Sequence, residues 1–183
     1  FRSANSGQSW EKADSTIINT TVSSLVSKGG EVFATVEGGD IWRSTDDGIR
    51  WTPAWYGIPA KGQTCLAVSG ETLLAGVFQN GVYVSVNDGM SWSPAKAGLT
   101  NTFVLSLIVQ GNDVYAGTYD GVFRSTDLGT SWSPVSTGLP GSPVNALAAN
   151  DSDLFAGTLG DGVYRSTDKG EHWVAANAQI ATM

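Results

Sequence analysis

The stretch VYRSTDKGEHW, residues 163–173, decides how the whole chain is read. It brings Ser166, Asp168, Gly170 and Trp173 together with His172, the single histidine of the sequence. A hydroxyl, a carboxylate and an imidazole in one short span look like the parts of a catalytic centre. The same pattern occurs four more times, as FRSANSGQSW from Phe1, IWRSTDDGIRW from Ile41, VYVSVNDGMSW from Val82 and VFRSTDLGTSW from Val122. The closing tryptophans, Trp10, Trp51, Trp92, Trp132 and Trp173, follow one another at intervals of 41, 41, 40 and 41 residues. A catalytic centre occurs once in a domain, whereas a part that recurs at a fixed interval belongs to the frame.

The rest of each interval is equally regular. Two apolar runs precede each of the last four boxes: VSSLVS and EVFATV at 22 and 31, TCLAVS and TLLAGV at 64 and 72, VLSLIV and DVYAGT at 104 and 113, VNALAA and DLFAGT at 144 and 153. Short alternating runs bounded by Gly, Asn and Asp predict antiparallel strands, and no segment sustains a helical period. With the strand before each box and the one opened by its tryptophan, every unit has four strands. The expected fold is therefore all-β, a β-propeller of four-stranded antiparallel blades. The blades are expected at about 21–54, 64–95, 104–135 and 144–176, with a partial blade at about 1–13 in the same single domain.

The five copies resemble the Asp box, S-x-D-x-G-x-[ST]-W, of the bacterial-neuraminidase repeat, and the resemblance covers nearly the whole chain. It implies a hairpin between third and fourth strands, built by Ser44, Asp46, Gly48 and Trp51; Ser85, Asn87, Gly89 and Trp92; Ser125, Asp127, Gly129 and Trp132; and Ser166, Asp168, Gly170 and Trp173. An Asp or Asn at the start of the turn can accept backbone N–H groups, the Gly can take a positive φ, and the Trp can bury a large ring. Asn5 and Asn87 keep the acceptor without the charge, which a turn tolerates and an acid catalyst does not. His172 aligns with Ser9, Arg50, Ser91 and Ser131 and reads as a solvated hairpin residue.

Sialidases of this type grip a sugar carboxylate with three arginines from different blades. Here Arg2, Arg43, Arg124 and Arg165 share one repeat position, so they lie around the periphery and cannot converge. Xyloglucan-hydrolysing propellers also carry Asp boxes and use paired carboxylates across a cleft. Glu31, Glu71, Asp113 and Asp153 read as repeat-equivalent strand starts, and Asp120 and Asp161 as turn residues aligned with Asn80. That leaves Glu37 and Asp40, three residues apart on one loop, where a glycosidase needs two carboxyls flanking the sugar. No catalytic residue is assigned.

Composition narrows the function further. Ten basic against seventeen acidic residues give a net charge of −7, which repels nucleic acid. No apolar run is long enough to insert into a membrane. Cys65, the single cysteine, reads as a buried inert thiol, and with one His and one Cys neither a metal set nor a cofactor is expected. The resemblance to non-catalytic Asp-box propellers, of the photosystem II assembly-factor and sortilin types, implies a binding platform for a protein or a glycan. The alternative is a fragment of an Asp-box glycoside hydrolase, xyloglucanase-like, or a lectin. An extracellular, cell-surface or periplasmic setting in a bacterium is expected on the same ground.

The binding face is expected opposite the boxes, where strand two turns into strand three and strand four leads to the next blade. Trp55 and Tyr56 stand where the other linkers have Lys96-Ala97 and Ser136-Thr137, so this aromatic pair breaks the repeat. Phe78, Asn80, Tyr119 and Asp120, with Gln79, come from the turns on that face and complete the candidate set. The start at Phe1, inside a repeat, reads as a piece of something longer. Five blades with one shared, or an arc completed by self-association, are the expected ways to close the ring.

Overall fold

The computed structural model describes residues 1–12, 17, 21–59, 62 and 64–177. Among them are sixteen strands in four sheets and no helix. The first sheet holds β1 (Val22–Lys28), β2 (Glu31–Val36), β3 (Ile41–Ser44) and β4 (Thr52–Pro53); the second β5 (Thr64–Ser69), β6 (Thr72–Val77), β7 (Gly81–Ser85) and β8 (Ser93–Pro94). The third holds β9 (Val104–Gln110), β10 (Asp113–Thr118), β11 (Gly121–Ser125) and β12 (Ser133–Pro134); the fourth β13 (Val144–Ala149), β14 (Leu154–Thr158), β15 (Gly162–Ser166) and β16 (Val174–Ala175). Strands in each sheet follow chain order and pair antiparallel, which makes each sheet one blade of a propeller. Before them, Arg2 and Glu11 form a short antiparallel bridge across the first box.

The first strands β1, β5, β9 and β13 lie side by side and line the inside of the arc. Three apolar clusters fill the three spaces between consecutive blades. Phe33, Ile41, Leu66 and Trp92 join the first blade to the second. Leu74, Val82, Leu107 and Trp132 join the second to the third, and Tyr115, Val122, Leu154 and Trp173 the third to the fourth. One repeat position makes this visible. Leu25, Leu66 and Leu107 pair with Ala34, Ala75 and Ala116 on the neighbouring strand. Leu66 and Leu107 are 5% and 7% exposed because each faces the preceding blade, whereas Leu25 is 61% exposed.

The boxes also stitch blade to blade. The indole N–H of Trp92 donates to the Ala54 carbonyl at 2.7 Å, that of Trp132 to Ala95 at 2.9 Å, and that of Trp173 to Val135 at 2.8 Å. In each case the acceptor directly follows the fourth strand of the preceding blade. The backbone N–H groups of the same tryptophans donate to Tyr56, Ala97 and Thr137 in the linkers. The next residue is glycine each time. A Cβ on Gly57 would lie 2.5 Å from the Trp92 carbonyl oxygen, and one on Gly98 or Gly138 would come closer still to Trp132 or Trp173. The linker glycines therefore exist for close backbone approach at the joint.

Trp51 and Trp10 depart from the expected burial. Trp51 is half-buried and donates to its own Gly48 carbonyl at 3.1 Å, and Trp10 is 62% exposed. A second correction concerns Glu71. Arg43, Arg124 and Arg165 pair with Glu31, Asp113 and Asp153 across β2–β3 and its equivalents. In the second blade Val84 and Thr72 replace both partners together, and Glu71 instead pairs with Lys28 of the first blade at 2.9 Å.

Candidate functional site

Each box closes on itself through one hydroxyl and one side-chain oxygen. Ser44, Ser85, Ser125 and Ser166 donate from Oγ to Oδ1 of Asp46, Asn87, Asp127 and Asp168 at 3.0, 3.0, 2.7 and 2.8 Å. The same oxygens of serine accept the N–H of Gly48, Gly89, Gly129 and Gly170. Oδ1 in turn accepts the backbone N–H four residues on, at Arg50, Ser91, Ser131 and His172. The glycine alone was expected at positive φ, yet the residue before it is left-handed too: Asp47, Asp88, Leu128 and Lys169 have φ of 57, 57, 58 and 62°. His172 donates from Nδ1 to Asp168 Oδ2 at 2.8 Å, as Ser131 Oγ does to Asp127 at 2.6 Å. The imidazole thus fills the place of a serine on an exposed hairpin.

The opposite face is built differently. There the linker before each first strand clips to the turns between second and third strands. Gly81 N–H donates to the Thr102 carbonyl at 3.0 Å and Tyr119 N–H to the Phe103 carbonyl at 3.3 Å. Residues 102–103 therefore bridge the turn of the second blade and the turn of the third. Asn101 Oδ1 accepts the Phe103 N–H at 3.0 Å and holds that ring in place.

The outcome is a group of three aromatic rings. Phe78 meets Phe103 at 5.2 Å and Tyr119 at 5.9 Å, both edge to face, and Phe103 meets Tyr119 at 5.3 Å with a 54° tilt. Phe103 is 37% and Tyr119 46% exposed, so the group is an apolar patch in water, not part of a core. Asp120 is exposed beside Tyr119, and Asn80 Nδ2 donates to the Phe78 carbonyl at 3.3 Å.

Trp55 and Tyr56 form a second group. Trp55 packs against the core between the first two blades and meets Trp42 edge to face at 5.6 Å. Tyr56 stacks on Trp55 at 6.2 Å and 22°, is 62% exposed, and is pinned through its carbonyl to the Trp92 joint. No ring contact links this group to Phe78, Phe103 and Tyr119 among the described residues. The structure thus divides the candidate set in two.

Phe103 and Trp42 were not in that set. Phe103 aligns with Gln63 and Pro143 and so breaks the repeat as plainly as Trp55 does. Trp42 was hidden because Tyr83, Phe123 and Tyr164 make its position aromatic throughout.

Hydrogen bonds from the His172 backbone and ring, then from Ser166, hold Asp168 down at about 2. Those of Ser131 lower Asp127, and Lys28 lowers Asp88. Burial lifts the Cys65 thiol to about 12, which leaves it protonated and inert. No group of three His, Cys, Asp or Glu side chains able to hold a metal occurs among the described residues, and no described helix could cross a membrane.

Four-stranded blades joined in chain order, each closed by a Ser–Asp/Asn–Gly–Trp hairpin, define a β-propeller of the Asp-box type. The chain belongs to the DUF6242 β-propeller domain family, which it matches over residues 1–103 and again over 60–182. No curated protein matches the sequence. Solved propellers share the fold. A GH74 enzyme of Niastella koreensis is 22% identical with a TM-score of 0.62, over 84% of this chain and 24% of that one. YCF48 of Cyanidioschyzon merolae is 13% identical with a TM-score of 0.67, over 85% of this chain and 55% of that one. YCF48 bound to D1 peptide is 15% identical with a TM-score of 0.69, over 87% and 56%. The chain thus spans a quarter to a little over half of these proteins.

Proposed function

We propose that this chain is a non-catalytic binding propeller that engages a polypeptide on the face of its strand-two-to-three turns. The observation that carries the reading is the contact group of half-buried Phe78 with exposed Phe103 and Tyr119, contributed by two neighbouring blades, in which Phe103 breaks the repeat. Rigid aromatic side chains held by the backbone lose little entropy on binding and supply the apolar centre that protein interfaces favour. A related propeller, YCF48, has been solved with a peptide bound, which supports the same class of ligand here.

A glycosidase reading, suggested by the GH74 neighbours, requires one carboxyl held up near neutral pH and a second nearby. The described carboxylates whose ionisation is displaced, Asp88, Asp127 and Asp168, are all displaced downward. Glu37 and Asp40 share one turn. A glycan is the second ligand class, favoured by the exposed Tyr56 ring lying nearly parallel to Trp55, a platform on which a sugar can stack. The exposed Trp10 and Leu25 support a further element of the proposal, association with more blades, either beyond this stretch or from a second copy. An extracellular setting goes with this reading, on the likeness of the boxes to secreted Asp-box proteins.

Parallel peptide and glycan arrays test the ligand class, using the wild type, Phe103→Ser with Tyr119→Ser, and Tyr56→Ala, each checked for its melting transition. Peptide capture that the double variant loses and Tyr56→Ala keeps is the expected result. Glycan capture abolished by Tyr56→Ala would move the site to the stacked pair. Silence on both arrays would overturn the binding reading.

A further inference from the structure

Ion pairs are distributed unevenly over the propeller. At the box end five described cations are paired, Arg50 is not, and the hairpins carry further carboxylates at Asp46, Asp47 and Glu171. Lys28 lies 2.9 Å from Glu71 and 2.5 Å from Asp88, and Arg43 lies on Glu31. Arg124 is 2.7 Å and Lys169 3.3 Å from Asp113, and Arg165 is 2.9 Å from Asp153. At the other end, the four strand-two-to-three turns carry Glu37, Asp40, Asp120 and Asp161 and no Lys or Arg. Among the described residues none of these four carboxylates makes an ion pair. Thr21 donates to Glu37 at 3.3 Å and Ser142 to Asp161, and neither bond removes the charge. Lys96 is a cation at the turn of the second blade, its stem lying along Gly81.

The unpaired carboxylate of Asp120 beside Tyr119 sets a local negative potential on top of the net charge of −7. The partly exposed rings of Tyr119 and Phe103 add their own preference for a cation, since an aromatic face is the negative part of the ring. An acidic or strongly hydrated neutral ligand gains nothing from either term. A ligand that sets an apolar side chain among the rings and a guanidinium or ammonium over Tyr119, within reach of Asp120, gains from both.

We propose that the segment taken at Phe78, Phe103 and Tyr119 is a basic–apolar polypeptide, with Lys or Arg next to a large apolar side chain, and that Asp120 sets the preference for the cation. This rests on reading that face as a polypeptide site. Asp120 acts as a specificity residue and the rings supply the affinity.

The experiment is capture by an array of short random peptides spanning acidic to basic composition, at about 50 mM and about 500 mM salt. It uses the wild type, Asp120→Asn alone and with Asp161→Asn, and the Phe103→Ser, Tyr119→Ser pair. The wild type is expected to select peptides with Lys or Arg beside Leu, Phe or Trp and to bind them about tenfold more weakly at high salt. The Asp→Asn variants are expected to keep the apolar requirement and lose the basic one. Ring-dependent capture with no basic preference, or with a preference for acidic peptides or glycans, overturns this inference and leaves the site in place. Basic peptides held equally well without the rings overturn it as well, because the attraction is then diffuse charge. No ring-dependent peptide capture at all overturns the site itself.

Discussion

The indole N–H of Trp132 reaches the main-chain carbonyl of Ala95 at 2.9 Å, across the boundary between the second and third blades. Trp132 is 4% exposed, so the carbonyl has no water to turn to if the donor is removed. Trp132→Phe is expected to lower stability by about 1–3 kcal/mol, while Trp10→Phe, on the exposed box, is expected to change it by less than about 0.5 kcal/mol. The same contrast extends to Leu107→Ala, about 2–4 kcal/mol, against less than about 1 kcal/mol for Leu25→Ala. Urea unfolding of the four variants separates the two sets.

Gly98 has a φ of +77° and no room for a side chain beside the Trp132 carbonyl oxygen, whereas Gly111 has a φ of +60° with nothing within 4 Å of its would-be Cβ. Gly111→Ala carries only the left-handed backbone penalty of about 1–2 kcal/mol. Gly98→Ala adds a steric displacement of the joint and is expected to be the most damaging of the single substitutions considered. Melting temperatures of the two variants, measured side by side, decide the point. Equal losses would mean that the joint yields easily.

Tyr115 is fully buried and its hydroxyl makes no hydrogen bond of good geometry, although the Asp113 carboxylate lies near it. Burial, with Asp113, pushes its pKa up to about 12, against Arg124, which pulls it down. Phe33 and Phe155 occupy the equivalent positions without a hydroxyl. Tyr115→Phe is therefore expected to leave stability unchanged or raise it by up to about 1 kcal/mol. A loss above about 1 kcal/mol in calorimetry would show that the hydroxyl is satisfied.

Asp168 titrates at about 2 in the folded chain, mainly because it accepts the His172 backbone N–H. An unfolded aspartate titrates near about 3.9. A depressed acid stabilises the fold above its unfolded pKa, and this contribution fades as pH falls from about 4 through about 2. Asp168→Asn keeps the acceptor, as Asn5 and Asn87 do in their boxes. The melting-temperature gap between wild type and Asp168→Asn is thus expected to be widest at pH 5 and to narrow steadily to pH 2. A gap independent of pH would mean that the charge contributes nothing.

Strands and boxes were legible because their causes are local. The alternation of EVFATV or TLLAGV and the glycines at its ends specify a strand within six residues. Ser, Asp, Gly and Trp of a box bond within ten residues of one another. The joints were not legible, since Gly98 is required by Trp132, far along the chain and in another blade. Glu71 was read with the acids that open second strands, but its partner is Lys28 of the preceding blade, and no pattern within one repeat contains that pair. Two of the three rings of the proposed binding face were readable in the same way. Phe78 and Tyr119 stood out as turn aromatics, whereas Phe103 was passed over inside a linker until the bridge to Gly81 and Tyr119 put its ring between theirs.

The joint between blades has a consequence for how such proteins lengthen. The second and third blades each carry both halves of the joint, a tryptophan that donates to the preceding blade and a carbonyl that accepts from the next. Unequal recombination that duplicates one interval of 41 residues would insert a unit that fits both of its new neighbours without any further mutation. Blade number is then free to drift in the gene while the chemistry of contact stays constant. Selection can act on single turns, such as those bearing Phe78 and Tyr119, without disturbing the other blades.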